Sequence, residues 1–98
     1  MIGVSVVFDC ENGLDRARII EVAKNARKMF EALSDLRFKF FTFDEKRKQA
    51  MNFYVWETKA AAEAFFTDEL RKKVTGLYGV SPTITFLEIA EVVDNVHS

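Results

Sequence analysis

Asn52, Tyr54 and Trp56 stand at alternate positions of the stretch AMNFYVWET. On a β-strand alternate side chains share a face, so an amide, a phenol and an indole would lie side by side. Lys39, inside the stretch LRFKFFTFD, adds an ammonium group, and Phe41, Phe43 and Leu87 add apolar surface. A few hydrogen-bonding groups converging among rings and aliphatic chains is the usual composition of a small-ligand pocket. The chemistry to expect is therefore recognition of a small, largely apolar molecule through one or two polar contacts.

Those residues need elements to hold them. IGVSVVFD at 2–9 is short and β-branched, as a strand requires. ENGL at 11–14 supplies turn chemistry. Ile19, Val22, Ala23, Ala26, Phe30 and Leu33 then recur at helical spacing behind Asp15, which suits a helix start. SD at 34–35 breaks the pattern. LRFKFFTFD at 36–44 is a second strand, EKRKQ at 45–49 a polar hairpin tip, and AMNFYVWET the third strand. Thr58 caps a second helix with Ala62, Phe65, Phe66, Leu70 and Val74 as its apolar stripe, ended by Gly76 and Gly79. Pro82 opens the fourth strand, TITFLEIA at 83–90, and residues 91–98 form a tail. The order β-α-β-β-α-β is the ferredoxin-like α+β plan: a four-stranded antiparallel sheet with both helices on one face. The 98 residues allow one such domain, 1–98.

Alternation divides the sheet into two sets. Ile2, Val4, Val6, Phe8, Leu36, Phe38, Phe40, Met51, Phe53, Val55, Ile84 and Phe86 are almost purely apolar and are expected beneath the helices. Ser5, Val7, Arg37, Lys39, Phe41, Phe43, Asn52, Tyr54, Trp56, Thr83, Thr85, Leu87 and Ile89 are expected on the helix-free side. Such a face presents roughly 400 Å² of projected area, at the upper limit for an exposed patch on a monomer. Burying one aromatic side chain stabilises by roughly 1.5–3 kcal/mol. A second copy related by a two-fold axis is therefore the expected cover, and the pocket is expected between sheet and partner. That placement fails if the helices lie over Tyr54 and Trp56.

Composition narrows the rest. A net charge of -1 and a pI of about 5.8 give no attraction to nucleic acid or an anionic membrane. Cys10 is the only cysteine and His97 the only histidine, so neither an internal disulfide nor a zinc site can be assembled. Cys10 reads as a small buried hydrophobe. MIGVSVVFDC lacks a basic leader, and no apolar run is long enough to span a bilayer. A reducing cytoplasm is the expected location.

The element order, the YVWET strand running into the AAAEAF helix, and the YGVSPTITFLEI ending resemble the YdhR-type mono-oxygenases of the dimeric α/β-barrel superfamily, beside the antibiotic-biosynthesis monooxygenases. The resemblance spans Ile2 to about Asp94. It implies a homodimer with a cavity under each sheet. It also implies oxidation of an aromatic or polyketide-like compound by O2 with no flavin, haem or metal. Asn52 and Trp56 match the spacing of an asparagine and a tryptophan that function in quinone-forming relatives. By that resemblance Asn52 and Trp56 are the catalytic candidates, and Lys39, Phe41, Phe43, Tyr54 and Leu87 the substrate-binding ones. The amide would orient and polarise a phenolate that itself gives an electron to O2. Lys39 would stabilise the anion if it lies inward. Met51 and Asn52 occupy positions where the family has two glycines, and no strand carries the histidine that relatives often add.

Plainer roles stand beside these. Tyr54 and Trp56 can be interface packing, Asn52 can satisfy a backbone group near the hairpin, and Lys39 and Arg37 can reach to the sheet edge. EKRK can be a solvated turn, and His97 uninvolved. A non-catalytic binding or structural homodimer is thus the alternative. RNA-recognition motifs share the element order and place stacking aromatics in the third strand after a basic loop, which KRKQAMNFYVWE resembles. Against that, the glycine of the motif is missing, the first strand offers no aromatic beside Ser5 and Val7, and the acidic pI removes the attraction to phosphate.

Overall fold

The computed structural model describes residues 1–10 and 15–95, so the ENGL turn and His97 lie outside the described residues. Seven elements follow in the order β1 (Ile2–Asp9), α1 (Arg16–Glu31), β2 (Leu36–Asp44), β3 (Gln49–Trp56), α2 (Lys59–Phe65), α3 (Asp68–Tyr78) and β4 (Thr83–Glu88). The strands form one antiparallel sheet in the order β2-β3-β1-β4, the ferredoxin-like arrangement expected from the sequence.

Local chemistry sets the boundaries. Asp15 caps α1, its carboxylate accepting from the Arg18 amide at 3.0 Å. The β2–β3 turn is tied by Asp44, which accepts from the amides of Lys46 and Arg47. It closes through Lys48, held in the left-handed region at φ 52°. The Lys48 carbonyl accepts from the Cys10 amide at 2.6 Å, anchoring the turn to the end of β1. Thr58 caps α2 by accepting from Ala61.

The second helix is not continuous. It breaks at Phe66, and a new helix starts at Thr67, whose hydroxyl accepts from Leu70 while Asp68 and Glu69 occupy the first turn. Neighbouring residues of an unbroken helix point about 100° apart. The break lets Phe65 and Phe66 both turn inward against Tyr54, with ring centroids at 5.9 and 4.9 Å. Gly79, at φ 78°, ends α3, whereas Gly76 lies within it.

The register corrects the expected faces. Val4 pairs with Tyr54 and Val6 with Asn52, while Tyr54 pairs with Lys39 and Asn52 with Phe41. Directly opposed residues share a face. Lys39, Phe41, Phe43, Asn52, Tyr54 and Trp56 therefore join Ile2, Val4, Val6 and Phe8 beneath the helices. Phe38, Phe40, Met51, Phe53 and Val55 move to the helix-free side with Leu87, which pairs with Gly3. Alternation within each strand holds, but β2 and β3 are turned over relative to β1. A bulge between Leu36 and Phe38 leaves Leu36 beside Trp56 and sends Arg37 outward to pair with Glu57. Gly3 has a steric reason: a Cβ there would lie 2.9 Å from Phe53 Cζ.

Candidate functional site

Helices over Tyr54 and Trp56 remove the pocket expected between sheet and partner. In its place, a cavity of about 150 Å³ lies between the sheet and the chain's own helices. Lys39, Phe41, Asn52 and Tyr54 line its floor, Phe65, Phe66 and Tyr78 its roof. Exposed Met29, Arg71, Lys73 and Leu77 form its rim between α1 and α3. An apolar void of that volume holds about one benzene ring.

Lys39 does not reach outward. Its Nζ donates to the Tyr54 hydroxyl at 2.6 Å and stands 3.4 Å from the Phe30 ring centre, 4.1 Å from that of Tyr54 and 4.2 Å from that of Phe41. No carboxylate pairs with it among the described residues. Burial without a counter-charge pushes its pKa down to about 6, which brings the neutral amine within reach near pH 7. The three ring faces attract the ammonium form and partly oppose that shift. Burial, with a smaller contribution from Tyr78, pushes the Tyr54 phenol well above its usual range, so it stays protonated.

Asn52 is 3% exposed, and its Oδ1 has no hydrogen-bond partner among the described residues, so that oxygen serves no described backbone group. Burial raises the Tyr78 phenol, and hydrogen bonding from the Asn52 side chain beside it acts in the lowering direction. An acceptor left unpaired in the interior costs roughly 1–3 kcal/mol. Asn52 is among the residues that line the cavity.

The remaining candidates fall elsewhere. Trp56 is buried on the same face, packed on Phe65 at 5.0 Å with its Nε1 unpaired, but it does not line the cavity. Phe43 packs into the core beside it, and Leu87 lies on the opposite face, 44% exposed. Tyr78, missed from sequence, stacks on Phe8 at 4.1 Å. It continues the Leu70–Val74 stripe by another four residues, a signal that was available. Cys10 is buried as expected, and burial raises its thiol pKa. Among the described residues no three His, Cys, Asp or Glu side chains are grouped to hold a metal ion. No described helix is long and apolar enough to cross a membrane.

No protein-family model and no curated protein matches the chain in sequence. Solved structures do match in fold. A monooxygenase from the gene ActVA-Orf6 of Streptomyces coelicolor, in complex with nanaomycin D, superposes with a TM-score of 0.73 at 16% identity, over 97% of this chain and 92% of that one. SnoaB, a cofactor-independent oxygenase from Streptomyces nogalater solved as an asparagine-to-alanine variant, gives 0.67 at 12% identity, over 94% and 95%. An antibiotic biosynthesis monooxygenase gives 0.67 at 11%, over 93% and 100%. At these identities the shared property is the fold, that of the antibiotic-biosynthesis monooxygenases.

Proposed function

We propose that this chain is a cofactor-independent monooxygenase that oxidises a small aromatic or polyketide-like compound within the cavity between sheet and helices. The observation that carries the reading is Asn52, buried with its Oδ1 unpaired among the described residues, in the lining of an aromatic cavity that also holds the Lys39 amine. A phenolic substrate would hydrogen-bond to the Asn52 amide and pass its proton to the Lys39 amine. The resulting phenolate, shielded from water by Phe30, Phe65 and Phe66, would give an electron to O2. The fold shared with monooxygenases and the YdhR-type resemblance support the reading. Asn52 orients the phenolate. Trp56, outside the cavity, backs Tyr54 and Phe65 and acts as a positioning residue. A cavity of about 150 Å³ admits one ring, so a fused polycycle requires Phe65 and Phe66, at the helix break, to move.

We further propose a homodimer through the helix-free face. Phe40 is 54% exposed there, Met51 40% and Leu87 44%, beside Phe38 and Phe53. The resemblance to dimeric α/β barrels supplies the second copy as the cover. A non-catalytic binding dimer shares both features and differs only in turnover. The RNA-binding reading loses its best residues, since Tyr54 and Trp56 lie under the helices and cannot stack on bases.

Oxygen uptake with candidate phenols separates turnover from binding. Wild type should consume O2, Asn52→Ala should lose most of that activity, and Trp56→Phe should lower it through substrate affinity more than through kcat. Equal uptake in all three proteins removes Asn52 and Trp56 from the mechanism.

A further inference from the structure

We infer that Lys39 is a nucleophile that condenses reversibly with small aldehydes and ketones, making the cavity a carbonyl-capturing site. The geometry has three parts. The part-buried amine belongs to a side chain that lines the cavity, aromatic ring faces surround it, and a phenol stands 2.6 Å away. Lysines activated for imine formation elsewhere are desolvated in this way or set beside another cation.

The groups facing Nζ are few. β3 contributes Tyr54, α1 the Phe30 ring, β2 Phe41; Tyr78 of α3 lines the same cavity, and Arg71 and Lys73 stand at its mouth. None is a carboxylate that would hold the amine protonated. The lowered pKa agrees with this surrounding.

The step balances without an oxidant. The Nζ lone pair adds to the carbonyl carbon, and the carbonyl oxygen takes the Tyr54 proton. The phenolate of Tyr54 regains a proton from the nitrogen, leaving a carbinolamine. Tyr54 then protonates the hydroxyl, which leaves as water while the nitrogen lone pair closes the C=N bond. The remaining nitrogen proton returns to Tyr54. Nothing is oxidised or reduced, and exclusion of bulk water slows the reverse hydrolysis. Lys39 donates to the Tyr54 oxygen, so the phenolic hydrogen is free to point elsewhere in the cavity.

This capture uses the same cavity as the proposed oxidation but needs neither O2 nor Asn52, so each can fail without the other. The test is reductive trapping at pH 7 with benzaldehyde, and separately with acetaldehyde, in the presence of cyanoborohydride. Peptide mass mapping locates the modified lysine. At pH 7 an ordinary lysine is neutral in roughly one molecule in 2,500, and Lys39 in most. A less basic amine is intrinsically the poorer nucleophile by roughly a hundredfold, taking the dependence known for thiols as a guide. Lys39 should therefore be labelled about twentyfold faster than any exposed lysine. Lys39→Arg, which cannot form the imine, should lose this fast phase, and Tyr54→Phe should slow it. A folded wild-type protein in which neither probe labels Lys39 ahead of the exposed lysines overturns the inference. So does an unchanged fast phase in Lys39→Arg.

Discussion

Replacing Lys39 by methionine should change how stability depends on pH, and by a calculable amount. Methionine keeps the length of the side chain while removing the amine. In the native protein burial holds the Lys39 pKa at about 6, whereas in the unfolded chain it is an ordinary lysine. Between those values the unfolded state binds the proton and the folded state does not. Stability must therefore rise with pH across that window, and the full penalty is present below about pH 6. From about pH 6 to pH 8 the native amine goes from half protonated to neutral, while the unfolded one stays protonated. Integration gives about 2 kcal/mol for wild type, falling towards about 1 kcal/mol where the faces of Phe30, Phe41 and Tyr54 retain the cation. Lys39→Met lacks this contribution. Urea unfolding of both proteins at the two pH values, at one protein concentration, isolates it as a difference of differences. Lys39→Met should be the more stable at the lower pH, and its advantage should shrink by that amount at the higher. A constant difference between the two proteins would show that Lys39 keeps its ordinary pKa and stands in water.

Lys48→Gly should raise stability by roughly 0.5–1 kcal/mol in thermal unfolding, because Lys48 holds a left-handed backbone at φ 52° that glycine adopts freely; a loss would mean the lysine side chain matters to the turn. Asn52→Leu should gain about 1 kcal/mol by removing an unpaired buried acceptor, while abolishing O2 uptake. Destabilisation by that much would reveal a partner for the amide. Phe40→Asp, placed opposite Phe53 on the helix-free face, should convert a dimer into a monomer in sedimentation. A wild-type protein that sediments as a single chain would end the dimer reading.

The element order was legible because each boundary carries its own chemistry: Asp15, Thr58 and Gly79 sit where a cap is needed, and Pro82 directly precedes the edge strand β4. The break at Phe66 was legible too, in Thr67 followed by Asp68 and Glu69, but two adjacent phenylalanines read as one continuous stripe. The faces of β2 and β3 were not legible. Alternation fixes which residues of a strand travel together, and it says nothing about which set meets the helices. Phe38 and Phe40 compete with Phe41 and Phe43 on nearly equal terms, and the bulge at Arg37 shifts the parity of Leu36 against the rest of its strand.

The reversed faces have a physical logic that bears on function. A purely apolar set looks like the natural lining for a core, yet it is the set left open: Phe38, Phe40, Met51 and Phe53 face away from the helices. The set turned inward carries an amide, two phenols within reach and an amine. Interior polar groups are costly unless paired, and here Lys39 donates to Tyr54 while Asn52 Oδ1 has no partner among the described residues. A core optimised for stability alone would place Met51 and Phe53 inside and Asn52 and Tyr54 out, a register one residue away. That the fold takes the costlier register, with Asn52 and Tyr54 among the residues that line an aromatic-walled cavity, is what a site needs and a structural core does not. The open apolar face then carries the opposite demand, for a flat and complementary surface, which a second copy of the same face would supply by symmetry under the dimer proposed above.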